Sequence, residues 1–214
     1  MIAEKWRPYL YVYFFLVYLV GAIGLAFYSE LFYSLTPFNL ISSAILVFLS
    51  QKGFEKKMWL YILAVGVLAW FIEGVGVSTG LIFGHYTYGC TLGFKIWNVP
   101  VLIGLNWVML VYNAQQFIVY YVQETKPVIV NILVATSLVM LDILMELVAP
   151  VVDFWSFTDG YAPLQNFIGW WVVGYILSAL SLKAFTKHAN FISPYFFFLQ
   201  WLFFAALTVL SRLD

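Results

Sequence analysis

The chain has 214 residues, of which 64% are hydrophobic and 9% charged, and its formal net charge is zero. Soluble domains carry about 25% charged residues, so water cannot be the solvent for most of this surface. A neutral chain also lacks the basic footprint that a nucleic-acid partner demands. One cysteine, Cys90, leaves no internal disulfide and no cysteine-based metal site. The two histidines, His85 and His188, are too few for a histidine-rich metal cage, so no metal is expected.

Inside a bilayer every backbone polar group needs an internal partner, which leaves helices or closed barrels. The apolar stretches run for about twenty residues, the length of a crossing helix rather than of a barrel strand. Seven spans are expected, at residues 9–29, 35–51, 58–80, 99–121, 127–149, 164–183 and 192–210. The first is too long for the apolar core of a signal peptide and is followed by further spans, so it reads as a retained helix. No linker or shift in composition divides the chain. The expected architecture is an all-α, polytopic membrane bundle forming one domain over residues 1–214.

The loops orient it. Lys5, Arg7, Lys52, Lys56, Lys57, Lys126, Lys183 and Lys187 all fall on one side of the seven-span plan, and only Lys95 and Arg212 on the other. The excess of positive charge belongs inside, which places the N-terminus in the cytoplasm and the C-terminus outside. Two outer connections, residues 81–98 and 150–163, are rich in aromatics: Tyr86, Tyr88, Trp97, Phe154, Trp155, Phe157 and Tyr161. Solvent loops are polar, so these segments are expected to lie against the bundle or dip into it; the plainer reading is an aromatic belt at the interface.

Three carboxylates fall within spans: Glu73, Asp142 and Glu146. A charge at bilayer depth is expensive, so such residues face the bundle interior and point to function. Gly76 and Gly80 follow Glu73 on the same helical face, where small residues let another helix approach. Asp142 and Glu146 are four apart and stack on one face. All three acids reach the outer half of the membrane at one depth. Repulsion and burial both favour keeping one carboxyl of the stacked pair protonated, and a neutral acid in an apolar pocket can donate its proton. The plainer alternative is that the acids accept hydrogen bonds and hold helices together. Asn106, Asn113 and Asn166 are candidate partners or water-positioning groups, and His85, at the outer end of the third span, a candidate aid to proton delivery. His188 and Cys90 read as passive.

A retinal protein needs a Schiff-base lysine in its last span, and none is present. Membrane prenyl transferases need aspartate-rich motifs, and Asp142 and Glu146 stand without basic neighbours. A proton-coupled transporter would string its acids along a path across the membrane, whereas these cluster at one depth.

Two blocks carry a resemblance. One is Glu73-Gly74-Val75-Gly76-Val77-Ser78-Thr79-Gly80-Leu81-Ile82-Phe83-Gly84-His85-Tyr86-Thr87-Tyr88, followed by Leu92-Gly93, Val99-Pro100 and Trp107. The other is Leu141-Asp142 through Glu146, then Phe154-Trp155-Ser156-Phe157 and Pro163-Leu164-Gln165-Asn166-Phe167-Ile168-Gly169-Trp170. Together they resemble the membrane carotenoid-biosynthesis family that includes the CruF-type carotenoid 1',2'-hydratases. That family often has proline directly after the second acid and tryptophan in place of Phe157; here Leu147 follows Glu146, with Pro150 three residues further on.

The resemblance implies addition of water across the terminal double bond of an acyclic (ψ) carotenoid end, giving a tertiary alcohol without a cofactor. An alkene is a poor base, so its protonation calls for a strong, desolvated acid. The resulting tertiary cation can be stabilised by aromatic faces, each worth about 0.5–2 kcal/mol. Tyr86, Trp107, Trp155 and Trp170 are candidates. A second carboxylate then takes a proton from the attacking water. Glu73, Asp142 and Glu146 form the expected catalytic set, with Asp142 or Glu146 as the acid and Glu73 orienting water, or the reverse. Tyr86, Tyr88, Trp107, Trp155, Asn166, Trp170, His85 and Asn106 form the expected substrate pocket. An end-group cyclase would use the same acid in a dry pocket, and a transporter or carotenoid-binding protein is the non-enzyme alternative. The expected partners are a carotenoid drawn laterally from the bilayer, membrane lipid and, by association, other enzymes of the pathway. Short loops and the lack of an obvious transit peptide place the chain in the inner cell membrane.

Overall fold

The structure, a computed structural model, describes residues 2, 4–53, 55–123 and 126–212. Eight α-helices follow in order: α1 (Arg7–Phe27), α2 (Ser29–Tyr33), α3 (Thr36–Leu49), α4 (Lys56–Thr79), α5 (Leu102–Phe117), α6 (Pro127–Glu146), α7 (Leu164–Phe185) and α8 (Ser193–Leu210). A π-helical turn, Ile118–Val122, extends α5. Proline stands in the first turn of α1, α3, α6 and α8, where its missing N–H has no intrahelical partner to lose.

The chain is an all-α polytopic membrane protein. Among the described residues six helices are long and apolar enough to cross a bilayer: α1, α4, α5 with its extension, α6, α7 and α8. The second expected span is shorter. α3 has 14 residues, about 21 Å at the α-helical rise, against about 30 Å of hydrocarbon. It still joins the two ends of the bundle. Pro37 at its start packs against Gly93 of the first aromatic loop, and Leu49 at its end accepts from the Ile2 backbone N–H at 2.8 Å.

α5 is the most enclosed of the six; residues Trp107 to Gln116 are all buried, the mark of a helix with neighbours on every side. α4, α6, α7, α8 and α3 pack around it, and α1 rests on α8. The outward faces of α1 and α4 carry exposed Val12, Phe15, Leu19, Leu60, Leu63 and Val67, an apolar surface suited to lipid. α4 and α5 approach most closely where Gly66 meets Gly104. Gly76 and Gly80 do not receive a neighbouring helix. The ring of Phe83 covers Gly76 and that of His85 covers Gly80, because the chain leaves α4 through the left-handed Gly80 (φ 67°) and folds back on its own last turn.

The two aromatic connections meet. β1 (Tyr86–Tyr88) and β4 (Trp155–Phe157) pair antiparallel, with Tyr86 opposite Phe157, Thr87 opposite Ser156 and Tyr88 opposite Trp155. Alternation buries Tyr86, Tyr88, Trp155 and Phe157 against the bundle and leaves Thr87 and Ser156 outside. A smaller ribbon, β2 (Lys95–Ile96) with β3 (Val99–Pro100), completes the first connection and takes the first residues of the expected fourth span out of the helix. α6 ends at Glu146, three residues before the expected boundary; the chain then turns, and the Phe154 N–H returns to the Ala149 carbonyl at 2.9 Å.

The opposite end is tied by buried amides. Gln51 donates to the His188 carbonyl at 2.7 Å and accepts from Tyr112. Asn190 donates to the Val47 carbonyl at 2.7 Å and to Tyr112 Oη at 2.8 Å. Glu55 pairs with Lys187 at the surface there. His188 is partly exposed beside the same carboxylate, with Nε2 3.7 Å from Glu55 Oε1.

Candidate active site

Four helix ends and the β1–β4 ribbon converge. Glu73 lies in the last two turns of α4, Asp142 and Glu146 in the last turns of α6, Trp107 in the second turn of α5 and Asn166 in the first turn of α7. Opposed chain directions bring these ends to one level under the ribbon.

Glu73 is buried and receives three donors. Tyr86 Oη donates to Oε2 at 2.5 Å, Tyr88 Oη to the same oxygen at 2.7 Å, and Trp107 Nε1 to Oε1 at 2.7 Å. Both oxygens are thus engaged and the carboxylate has one orientation. Burial first, and then the Glu73 carboxylate, push the Tyr86 and Tyr88 phenols well up from their ordinary value. Trp107 is almost wholly buried and packs on Trp170 with ring centroids 4.4 Å apart.

The second acid group is built differently. The Asn166 amide donates to Asp142 Oδ2 at 2.7 Å and to Glu146 Oε1 at 3.2 Å, and Trp155 Nε1 also donates to Glu146 Oε1, at 3.1 Å. Glu146 Oε2 has no hydrogen-bond partner among the described residues, and neither has the buried Asp142 Oδ1. Of the two, Glu146 reaches the cavity and Asp142 stands behind it.

That cavity has a volume of about 20 Å³, room for about one water. Glu73, Glu146, Asn106 and Asn166 give it polar atoms; Phe83, Tyr86, Tyr88, Ile103, Trp155, Phe157 and Trp170 form the rest of its wall. Among the described residues no group of three or more His, Cys, Asp or Glu stands close enough to share a metal ion.

The pattern of the carotenoid biosynthesis protein family matches residues 13–212, nearly the whole chain. The chain belongs to that family. It is also similar to bisanhydrobacterioruberin hydratase of Haloarcula japonica, with 29% identity over 126 residues. That match covers 56% of this chain and 43% of the relative, so the chain spans less than half the length of the curated protein it matches. No solved structure matches it.

Within this family member, the expected residues separate. Glu73, Glu146, Tyr86, Tyr88, Trp155, Asn166, Trp170 and Asn106 line one cavity. Asp142 and Trp107 are one shell behind, Asp142 through the Asn166 amide and Trp107 through Glu73. His85 stands apart: it is exposed, lies over Gly80, and holds β4 through its backbone carbonyl, which accepts from the Thr158 N–H at 3.0 Å. Asn113 shares a helix with Asn106 but accepts from Ser193 toward the far end of the bundle. Cys90 is exposed and donates its N–H and thiol to Asp153 Oδ2 at 2.6 and 2.8 Å; that bond to the carboxylate pushes its thiol up, away from reactivity.

Phe83, Ile103 and Phe157 were not among the expected pocket residues, although Phe157 was expected in an aromatic connection lying against the bundle. Phe83 and Phe157 did carry a signal, since both lie in the two blocks of resemblance. Phe83 reaches the cavity because the chain leaving α4 crosses α7 at Gly169, where a β-carbon would fall 2.6 Å from the Ile82 carbonyl oxygen.

Proposed function

We propose that the protein is a carotenoid hydratase, adding water to the terminal double bond of an acyclic end group by acid catalysis. The observation that carries this reading is that Glu73 and Glu146 line one small aromatic cavity with room for a water. Membership of the carotenoid biosynthesis family and the similarity to a hydratase support it.

Glu146 is the proton donor, because its Oε2 is the cavity carboxylate oxygen left without a protein partner among the described residues. Asp142 and Glu146 share the Asn166 amide and hold one proton between them. Transfer of that proton to the terminal alkene carbon leaves a tertiary cation on its neighbour. Trp155, Trp170 and Tyr86 present aromatic rings to this charge. Water adds to the cation and its proton passes to a carboxylate. Glu73, fixed by three donors, orients that water, and Asn106 and Asn166 supply further polar contacts. The polar wall that Asn106 and Asn166 add beside the acids favours hydration over cyclisation, which needs a dry cavity. The substrate arrives laterally from the bilayer, and the cluster of positive residues opposite the ribbon supports a site toward the outer face of the membrane.

The test is expression in a host that accumulates acyclic carotenoids, with pigments analysed by mass. Gain of one water supports hydration. Unchanged mass with altered retention would mean cyclisation, and no change in any acyclic or monocyclic pigment would overturn both.

A further inference from the structure

A second cavity, of about 370 Å³, adjoins the acid pocket. Residues from α1, α3, α5 and α8 form most of it, and Asn106 and Trp155 belong to the walls of both cavities. Its rim reaches the outside of the bundle at Leu16, Val20 and Leu35, which are 50%, 53% and 46% exposed on faces with the apolar character of a lipid surface. Gln200 of α8 stands in this wall. It is buried, its amide has no hydrogen-bond partner among the described residues, and its Oε1 is shut off from solvent. Buried polar groups are ordinarily paired, and one left unpaired beside a cavity calls for a partner inside it.

We propose that this cavity holds the polyene chain of the carotenoid behind its reacting end, with Gln200 pairing to a hydroxyl group that the chain already carries. The inference rests on the hydratase reading. A path from lipid to the acids needs an apolar channel that ends at them, and this cavity ends at the Asn106–Trp155 wall that faces Glu146. The acid pocket alone is too small for an end group, so the reacting double bond meets its water at that shared wall. An oxygen substituent is the only group on a carotenoid that an amide can pair with.

Binding is measured by quenching of tryptophan fluorescence in lipid nanodiscs, on a Glu146→Gln background that prevents turnover. The probes are lycopene and its singly hydroxylated derivative. Gly21→Leu and Leu40→Phe fill the cavity away from the acids. A β-carbon at Gly21 meets nothing closer than Phe203 at 3.6 Å, so the helix accepts a side chain there. Both variants are expected to bind each carotenoid at least tenfold more weakly. With Glu146 restored, Gly21→Leu still hydrates a ten-carbon isoprenoid bearing the same end group. The wild-type protein prefers the hydroxylated probe about fivefold, and Gln200→Leu removes that preference. Unchanged binding in both filled variants overturns the channel, and a wild-type protein indifferent to the hydroxyl overturns the role of Gln200. If cavity filling abolishes binding but the wild-type protein hydrates no carotenoid, the hydratase reading fails while the binding site stands.

Discussion

Trp155 donates its indole N–H to Glu146 Oε1 at 3.1 Å, joining the last residue of α6 to the strand that roofs it. Asn166 donates to the same oxygen, so Oε2 of this cavity-lining residue is left without a partner among the described residues. Trp155→Phe keeps an aromatic wall and removes the bond. Loss of fixed geometry at a reacting group costs rate rather than affinity. The rate constant for hydration is expected to fall about tenfold, about 1.4 kcal/mol in the barrier, with KM little changed, in initial rates of product formation read by mass.

The three acids are expected to rank. Glu146→Gln removes the proposed donor, and a positioned acid is worth about a hundredfold or more. Glu73→Gln loses the oriented carboxylate and falls comparably. Asp142→Asn leaves Glu146 in the cavity and falls less. Pigment analysis of each single variant, normalised to folded protein, gives the order. An Asp142→Asn loss as deep as that of Glu146→Gln would make Asp142 the donor, and full activity in all three would remove the site.

Tyr86→Phe and Tyr88→Phe each withdraw one of the three donors on Glu73. A buried group that loses a partner costs about 1–3 kcal/mol. Each variant should unfold at lower temperature in detergent, and the double variant lower still. A double variant as stable as the wild-type protein would mean that these bonds do not hold the ribbon to α4.

Gly169→Ala sets a β-carbon 2.6 Å from the Ile82 carbonyl oxygen and 2.8 Å from the Phe83 ring. Real contacts that close do not persist, so the segment around residues 81–85 must move and take Phe83 off the cavity. Hydration should drop although every acid is intact, and hydrogen exchange should quicken across β1. Unaltered exchange there would contradict the crossing.

Asn190→Leu acts at the other end. It leaves the Val47 carbonyl without its side-chain donor and Tyr112 with one bond fewer. Interhelical hydrogen bonds in membranes average about 0.6 kcal/mol and reach about 1.7 kcal/mol, so thermal stability should fall modestly. Activity per folded molecule should not change, which separates scaffold from site.

The helical plan was legible because lipid demands it. Long apolar runs, few charges and internal backbone pairing leave little else, and six of the seven expected spans correspond to helices long enough to cross. α3 was overestimated: hydropathy extends through Leu35 and Gln51, but Ser34 and Leu35 belong to the turn after α2, and the chain leaves the helix at Ser50. The glycines after Glu73 were read as a helix contact, yet a left-handed residue at Gly80 sends the chain back upon them. Spacing reports which face a residue occupies and says nothing of what arrives there.

By itself the sequence determined that this is a helical membrane protein and that Glu73, Asp142 and Glu146 lie near one end of its bundle, since burial cost and helical period act locally. Its two blocks also carried the family. Only the tertiary structure decided how the acids differ. Strands β1 and β4, more than sixty residues apart in sequence, pair as one ribbon, and that pairing aims Tyr86 and Tyr88 at Glu73 and Trp155 at Glu146. With Trp107 of α5 added, both Glu73 oxygens are engaged; Glu146 lines the cavity with one oxygen unpartnered among the described residues, and Asp142 stands behind Asn166. The choice among three chemically similar side chains rests on long-range contacts, which no local spacing encodes.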